Sequence, residues 1–261
     1  MLSLPFQTII PFVLSALVVI IITVIAEKYG TKTGGILGTL PSTIIVAFIF
    51  IALNKGVIFA SNSVAVVPAE IGINLLFLFI FVLFIKRSIY IAFACSFTVW
   101  TILSFILWYF NLQNIYLSVL ICLALMVFSF VTLEKVKKIK SSGKKVVHYT
   151  VKKITLRGIL TGTIITITVL LSNVGEVISG IISVFPAIIT STMVISYYEH
   201  GADFAASMAK SMILGSMSVM SYAVSIHFLY PLYGILIGSI LAFCISVLVT
   251  LCILQLKNKI T

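Results

Sequence analysis

Residues 34–56, GGILGTLPSTIIVAFIFIALNKG, and residues 179–201, SGIISVFPAIITSTMVISYYEHG, read almost alike. Each sets a Gly and then a Pro inside an apolar run. A shift of 145 positions aligns them without a gap: Gly35 falls on Gly180, Pro41 on Pro186, Ile44 on Ile189 and Gly56 on Gly201. Beyond the quoted pair, Phe59 falls on Phe204 and Ala60 on Ala205.

The setting of these stretches is decided by composition. Of 261 residues, 61% are hydrophobic and 9% charged, whereas a soluble domain carries about 45–50% apolar and about 25% charged residues. That stock cannot cover a water-facing surface, so the chain reads as an integral membrane protein. Its apolar runs are long and continuous, without the alternation of a lipid-facing barrel. Helices, which satisfy their own backbone hydrogen bonds in lipid, are the expected spanning element. The N-terminus MLSLPFQTII lacks a basic leader region and a small-residue cleavage site, so it reads as the start of the first span. The four cysteines lie in apolar runs without CxxC spacing and read as small apolar side chains.

With about 20 apolar residues needed per crossing, nine spans are predicted, near 6–26, 34–54, 58–85, 88–110, 114–133, 155–172, 177–198, 203–226 and 230–255. The third is long enough to tilt or to break at Pro68. Lys and Arg concentrate in cytoplasmic segments. With the N-terminus outside and the C-terminus cytoplasmic, nine spans put 15 of the 17 basic residues on one side, Lys55 on the other and Lys210 inside a helix. Localisation is therefore expected in the cell membrane. The net charge of +11 reflects this bias. The basic loop EKVKKIKSSGKKVVHYTVKKITLR is either a topology signal or a contact with anionic lipid headgroups. Nucleic acid is not an expected partner, because the loop has one aromatic residue, Tyr149, and no folded platform.

The 145-residue shift carries the first four spans onto the last four, and the span at 114–133 has no counterpart. One extra crossing inverts whatever follows it. The predicted fold is thus an all-α membrane protein of nine transmembrane helices arranged as 4+1+4 inverted repeats. Residues 1–111 form the first unit, 112–154 a connecting helix and cytoplasmic loop, and 155–261 the second unit. Inverted repeats about an axis in the membrane plane are a common plan of secondary transporters. One chain then contains its own pseudo-dimer and can act as a monomer or a homodimer.

The stretch GIISVFPAIITSTMVISYYEHGADFAASMAKSMILGSMSVMSYAV resembles the core of GlpM-like proteins, four-helix bacterial inner-membrane proteins of about one unit's length. The resemblance rests on Gly180, Phe185, Pro186, Gly201 and the Ala/Ser/Met-rich helix after them. It covers residues 155–255, and the first half only through Gly35, Pro41 and Gly56. It implies a tandem, inverted duplication of that unit and a loose link to exopolysaccharide production, with no catalytic residues carried over. The plan is also similar to fused dual-topology proteins such as small multidrug exporters and fluoride channels, in architecture alone.

A Pro inside a helix frees backbone carbonyls, which in lipid need new partners. The sequence supplies Gly38, Thr39, Ser42 and Thr43 around Pro41, and Ser183, Thr190, Ser191 and Thr192 around Pro186. Matching interruptions in two repeats point to a substrate site, or to a pair of capped kinks. Glu70 and Lys210 are ionisable residues at membrane depth, which are costly and usually functional or paired. Inversion places them at similar depth, so they are expected to approach each other or face one cavity. Asn74 shares the face of Glu70 at i+4. Glu199, His200 and Asp203 read as a solvated loop rather than a metal site, with Asp203 capping the next helix. His227 reads as solvated, and the GxxxG pairs Gly158/Gly162, Gly34/Gly38 and Gly234/Gly238 as helix contacts.

No catalytic constellation or catalytic motif is present in the sequence, so neither an enzyme nor a cofactor is expected. The sequence reads as a transporter of a small solute or ion, with the site between the two Pro-interrupted helices. The alternative is a non-transporting scaffold or accessory subunit, for instance in envelope polysaccharide production.

Overall fold

The computed structural model describes residues 3–27, 40–136, 139 and 150–260, and among these every element is helical. The helices are α1 (Leu4–Glu27), α2 (Ser42–Lys55), α3 (Val57–Val64), α4 (Val67–Phe84), α5 (Ile89–Tyr109), α6 (Ile115–Val131), α7 (Val151–Leu171), α8 (Glu176–Ser183), α9 (Ala187–His200) and α10 (Ala202–Ile260). Seven runs among the described residues are long and apolar enough to cross a membrane. The chain is a multi-pass, all-helical membrane protein. The expected division into nine is not reproduced as drawn. Of the span at 34–54, residues 40–54 are described, and the 14-residue helix α2 begins at Ser42. The spans at 203–226 and 230–255 are the two arms of α10, which turns back at Gly234 (φ +72°, ψ −173°), so that Ser218 Oγ donates to the Ser246 carbonyl (3.1 Å) and Thr250 Oγ1 to Ser218 Oγ (2.8 Å) across them.

Local chemistry accounts for the ends. Asn114 and Ser88 cap α6 and α5, accepting from the amides of Leu117 (3.0 Å) and Tyr90 (3.2 Å). The break in the third span falls at Ala65–Val66, and Pro68 sits in the first turn of α4, where its missing N–H has no helical partner to lose.

The run Val57–Phe84 is the centre of the bundle: 83% of its most apolar window is buried, against 22–44% for the other six runs. Helix α4 packs on α5, α6 and α10. Outward faces such as Leu120 and Val127 of α6 and Leu236 and Leu248 of α10 are exposed, as a lipid-facing belt requires. Close approaches depend on glycine. A side chain at Gly162 would meet Phe12 of α1 within 2.9 Å of its carbonyl oxygen, and one at Gly180 would fall 2.1 Å from the Ser63 carbonyl oxygen of α3. The Gly158/Gly162 pair thus seats α7 on α1. Gly234 instead makes a bend, and Gly34 and Gly38 lie outside the described residues.

Three relations set direction. Helix α1 runs antiparallel to α7: Thr166 Oγ1 donates to the Thr8 carbonyl (3.2 Å) and Asn173 Nδ2 to Gln7 Oε1 (3.3 Å), while Gly158 packs against Ile20. The run 57–84 is antiparallel to the first arm of α10, with Ser61 bonded to His227 at one end (Oγ to carbonyl, 2.7 Å) and Lys86 paired with Asp203 at the other (2.7 Å). Finally, Asn54 at the end of α2 donates to Ser172 Oγ (3.1 Å), just after α7, whereas Glu199 at the end of α9 pairs with Lys153 at its start. Helices α2 and α9 therefore point to opposite ends of α7, about 30 Å apart at ~1.5 Å per residue.

Candidate functional site

The two Pro-interrupted stretches have the same backbone. Pro41 (φ −72°, ψ 49°) and Pro186 (φ −74°, ψ 39°) each precede a 14-residue helix. In each, the amide after the proline turns back to the carbonyl before it: Ser42 N to Leu40 O at 2.6 Å, and Ala187 N to Phe185 O at 2.7 Å. This is the geometry of an inverse γ-turn. Each helix ends at a glycine in extended, positive-φ backbone, Gly56 (φ 92°, ψ 164°) and Gly201 (φ 82°, ψ −179°), a region essentially reserved for glycine.

A cavity of about 100 Å³ lies between the two interruptions. Leu40 and Thr43 line it from the first stretch, Ser183, Phe185 and Pro186 from the second, and Asn74, Leu78, Thr161, Ile165, Met212 and Ser216 from α4, α7 and α10. Of the residues proposed from sequence, Thr43, Asn74, Ser183 and Pro186 thus meet at one cavity. Ser42 is buried at the start of α2 without lining it. Thr190 and Ser191 donate to the carbonyls of Pro186 (2.7 Å) and Ile188 (3.0 Å) in their own helix, as hydroxyls beside a proline break are expected to do. Ser183 likewise donates to Gly180 O (2.6 Å). Gly38 and Thr39 lie outside the described residues. Thr161 and Ser216 were not foreseen; each adjoins a glycine, Gly162 and Gly215, where close packing leaves small hydroxyls facing inward.

Asn74 is the polar anchor of the site. It is buried, and its Nδ2 donates to the Val184 carbonyl (2.7 Å) at the break between α8 and α9. Its Oδ1 is buried without a partner. A carbonyl can accept only from the NH₂ side of the amide, so this bond fixes which end of Asn74 is the oxygen.

Glu70 and Lys210 do not form the expected pair. Glu70 is fully buried in the first turn of α4, where the helix N-terminus favours a carboxylate. Ser104 Oγ donates to its Oε1 (2.8 Å), and the Trp100 indole N–H lies beside the same carboxyl. Trp100 meets Phe185 edge to face at 5.1 Å, so the carboxyl stands behind an aromatic pair, off the cavity wall. Lys210 reaches instead to Glu134 and to the Ile139 carbonyl (2.7 Å) at the end of α6. Its long stem lets the ammonium leave the apolar interior for the charged end of the bundle.

Three smaller expectations are corrected in the same way. His227 is engaged by Ser61, its Nδ1 lying 2.8 Å from the Ser61 carbonyl oxygen. Asp203 lies inside the first turn of α10 and pairs with Lys86, and the cap position is Gly201. Glu199 pairs with Lys153. Among the described residues, no group of three or more His, Cys, Asp or Glu side chains could hold a metal ion. Comparison of the chain with protein-family models, with curated proteins and with solved structures finds no match.

Proposed function

We propose that this protein is a transporter of a small solute, which binds in the cavity between the two Pro-interrupted stretches. The observation that carries the reading is the meeting of both interruptions at one cavity, lined also by Asn74, whose amide oxygen is buried and has no partner among the described residues. Interrupted helices at matching places in inverted repeats are where transporters bind their solutes. The 4+1+4 plan is part of the same proposal. Its support is the antiparallel packing of residues related by the 145-residue shift: α1 against α7, and 57–84 against the first arm of α10. The N-terminus is placed outside the cell membrane and the C-terminus in the cytoplasm, where the basic segments face anionic lipid headgroups. A duplicated GlpM-like unit is the proposed origin of the two halves.

A second reading keeps the kinks and drops the transport. It is favoured by Ser183, Thr190 and Ser191, whose hydroxyls turn back on their own helices. The protein is then a scaffold or accessory subunit. Reconstitution into vesicles separates the two. A transporter carries at least one member of a panel of small metabolites and ions faster than protein-free vesicles, and Thr161→Phe, which fills the cavity, stops that flux. Flux that is absent for the whole panel, or unchanged by Thr161→Phe, rejects the transport site.

A further inference from the structure

Given the proposed site, its walls restrict what can bind there. We infer that the cavity takes a small, uncharged solute with an apolar body and an N–H or O–H donor, and that Asn74 Oδ1 accepts from that donor. Three observations lead to this class.

The first is charge. No described residue lining the cavity is ionisable, and the two ionisable residues expected there are committed elsewhere: Glu70 to Ser104 behind the Trp100–Phe185 pair, and Lys210 to Glu134. An ion entering such a site loses its hydration without gaining a counter-charge, which opposes its binding.

The second is the direction of the hydrogen bond. Because the Val184 carbonyl holds the NH₂ of Asn74, the group left over is an acceptor. With no partner among the described residues, that acceptor is left for a donor on whatever enters the cavity. A ligand offering only acceptors adds nothing.

The third is size. A dry apolar cavity of about 150 Å³ is known to hold benzene. At about 100 Å³, walled by Leu78, Ile165, Phe185 and Met212, this cavity suits a somewhat smaller molecule.

Propionamide, with propionate and propylammonium as charged counterparts of similar shape, tests the inference. The chain has two tryptophans. Replacing Trp108 by Phe leaves Trp100, which touches the cavity-lining Phe185, as the fluorescent reporter. In the purified full-length protein, propionamide should change Trp100 emission saturably, and the two ions at equal ionic strength should not. Asn74→Leu should weaken propionamide binding about threefold to tenfold, the worth of one neutral hydrogen bond. Thr161→Phe should abolish it, and melting curves of both variants verify folding. The inference fails if either ion binds as well as the amide, if the amide gives no saturable response, or if that response survives both variants. Ion binding that Thr161→Phe abolishes would overturn the solute class and leave the transport site standing. Binding of any probe that ignores Thr161→Phe would overturn both.

Discussion

The stretches Leu40–Gly56 and Phe185–Gly201 share a backbone and differ in chemistry. Both hold a proline turn, a 14-residue helix and a terminal glycine at positive φ. The first helix is apolar and deeply buried, with Ile44, Ala47, Phe48 and Ile51 almost fully covered. The second carries Thr190, Ser191, Thr192 and Ser196 and buries only four residues. Their far ends differ too, with Asn54 held by the neutral Ser172 and Glu199 by Lys153. Backbone form therefore follows the Pro and Gly positions, which a membrane helix cannot ignore. Side-chain chemistry is free to diverge once those positions are kept.

That contrast can be broken or sharpened by substitution. The largest effect is expected at Gly180, where a methyl would stand 2.1 Å from the Ser63 carbonyl oxygen. Gly180→Ala should cost about 3 kcal/mol or more through forced separation of α8 from α3. Gly175→Ala, whose nearest neighbour is 4.0 Å away, should be near neutral, and denaturant unfolding in micelles compares the two. Next come Gly56→Ala and Gly201→Ala. Both positions have open space for a methyl, so the cost is backbone strain alone, about 1–3 kcal/mol each. Similar losses in thermal stability would support a common backbone, and tolerance at one site only would break the parallel.

Asn74→Leu should cost about 1–3 kcal/mol, because it leaves the Val184 carbonyl without its donor. Double-mutant cycles should show coupling to Pro186→Ala and none to Pro41→Ala. The smallest effect is expected at Lys86→Met. Both partners of the Lys86–Asp203 pair are largely exposed, at 68% and 82% of the side chain, and the change in stability should stay below about 0.5 kcal/mol.

Much of this organisation was legible before any coordinates. Composition identified the helical membrane class, and Pro41, Pro186, Gly56 and Gly201 marked the interruptions, because these residues act on the chain locally. Thr43, Ser183 and Pro186 could be proposed for one site from the repeat, and Asn74 from its place one turn after Glu70. The partners of charged residues were not legible. Lys210 was matched to Glu70 by depth, but pairing is decided by which helix packs alongside, and α6 brings Glu134 within reach. The break at Ala65–Val66 carries no glycine, and the proline after it marks the start of a helix rather than a kink. That break gives Glu70 a helix N-terminus in place of a basic partner. The bond between His227 and Ser61 joins residues 166 apart, a distance at which no local pattern speaks.

The central claim is that both interruptions face one water-accessible cavity inside the membrane. Thiol labelling tests it most directly, since only a hydrated thiol forms the reactive thiolate. In a background with Cys95, Cys122, Cys244 and Cys252 replaced, single cysteines are placed at Thr43, at Ser183 and at the exposed, lipid-facing Leu236. Iodoacetamide, itself a small uncharged amide, should modify the cysteines at 43 and 183 and leave the one at 236 unmodified. Adding Thr161→Phe should slow both reactions. If neither cavity position reacts in the folded protein, or only one does, the two stretches do not share a solvated site and the account is wrong.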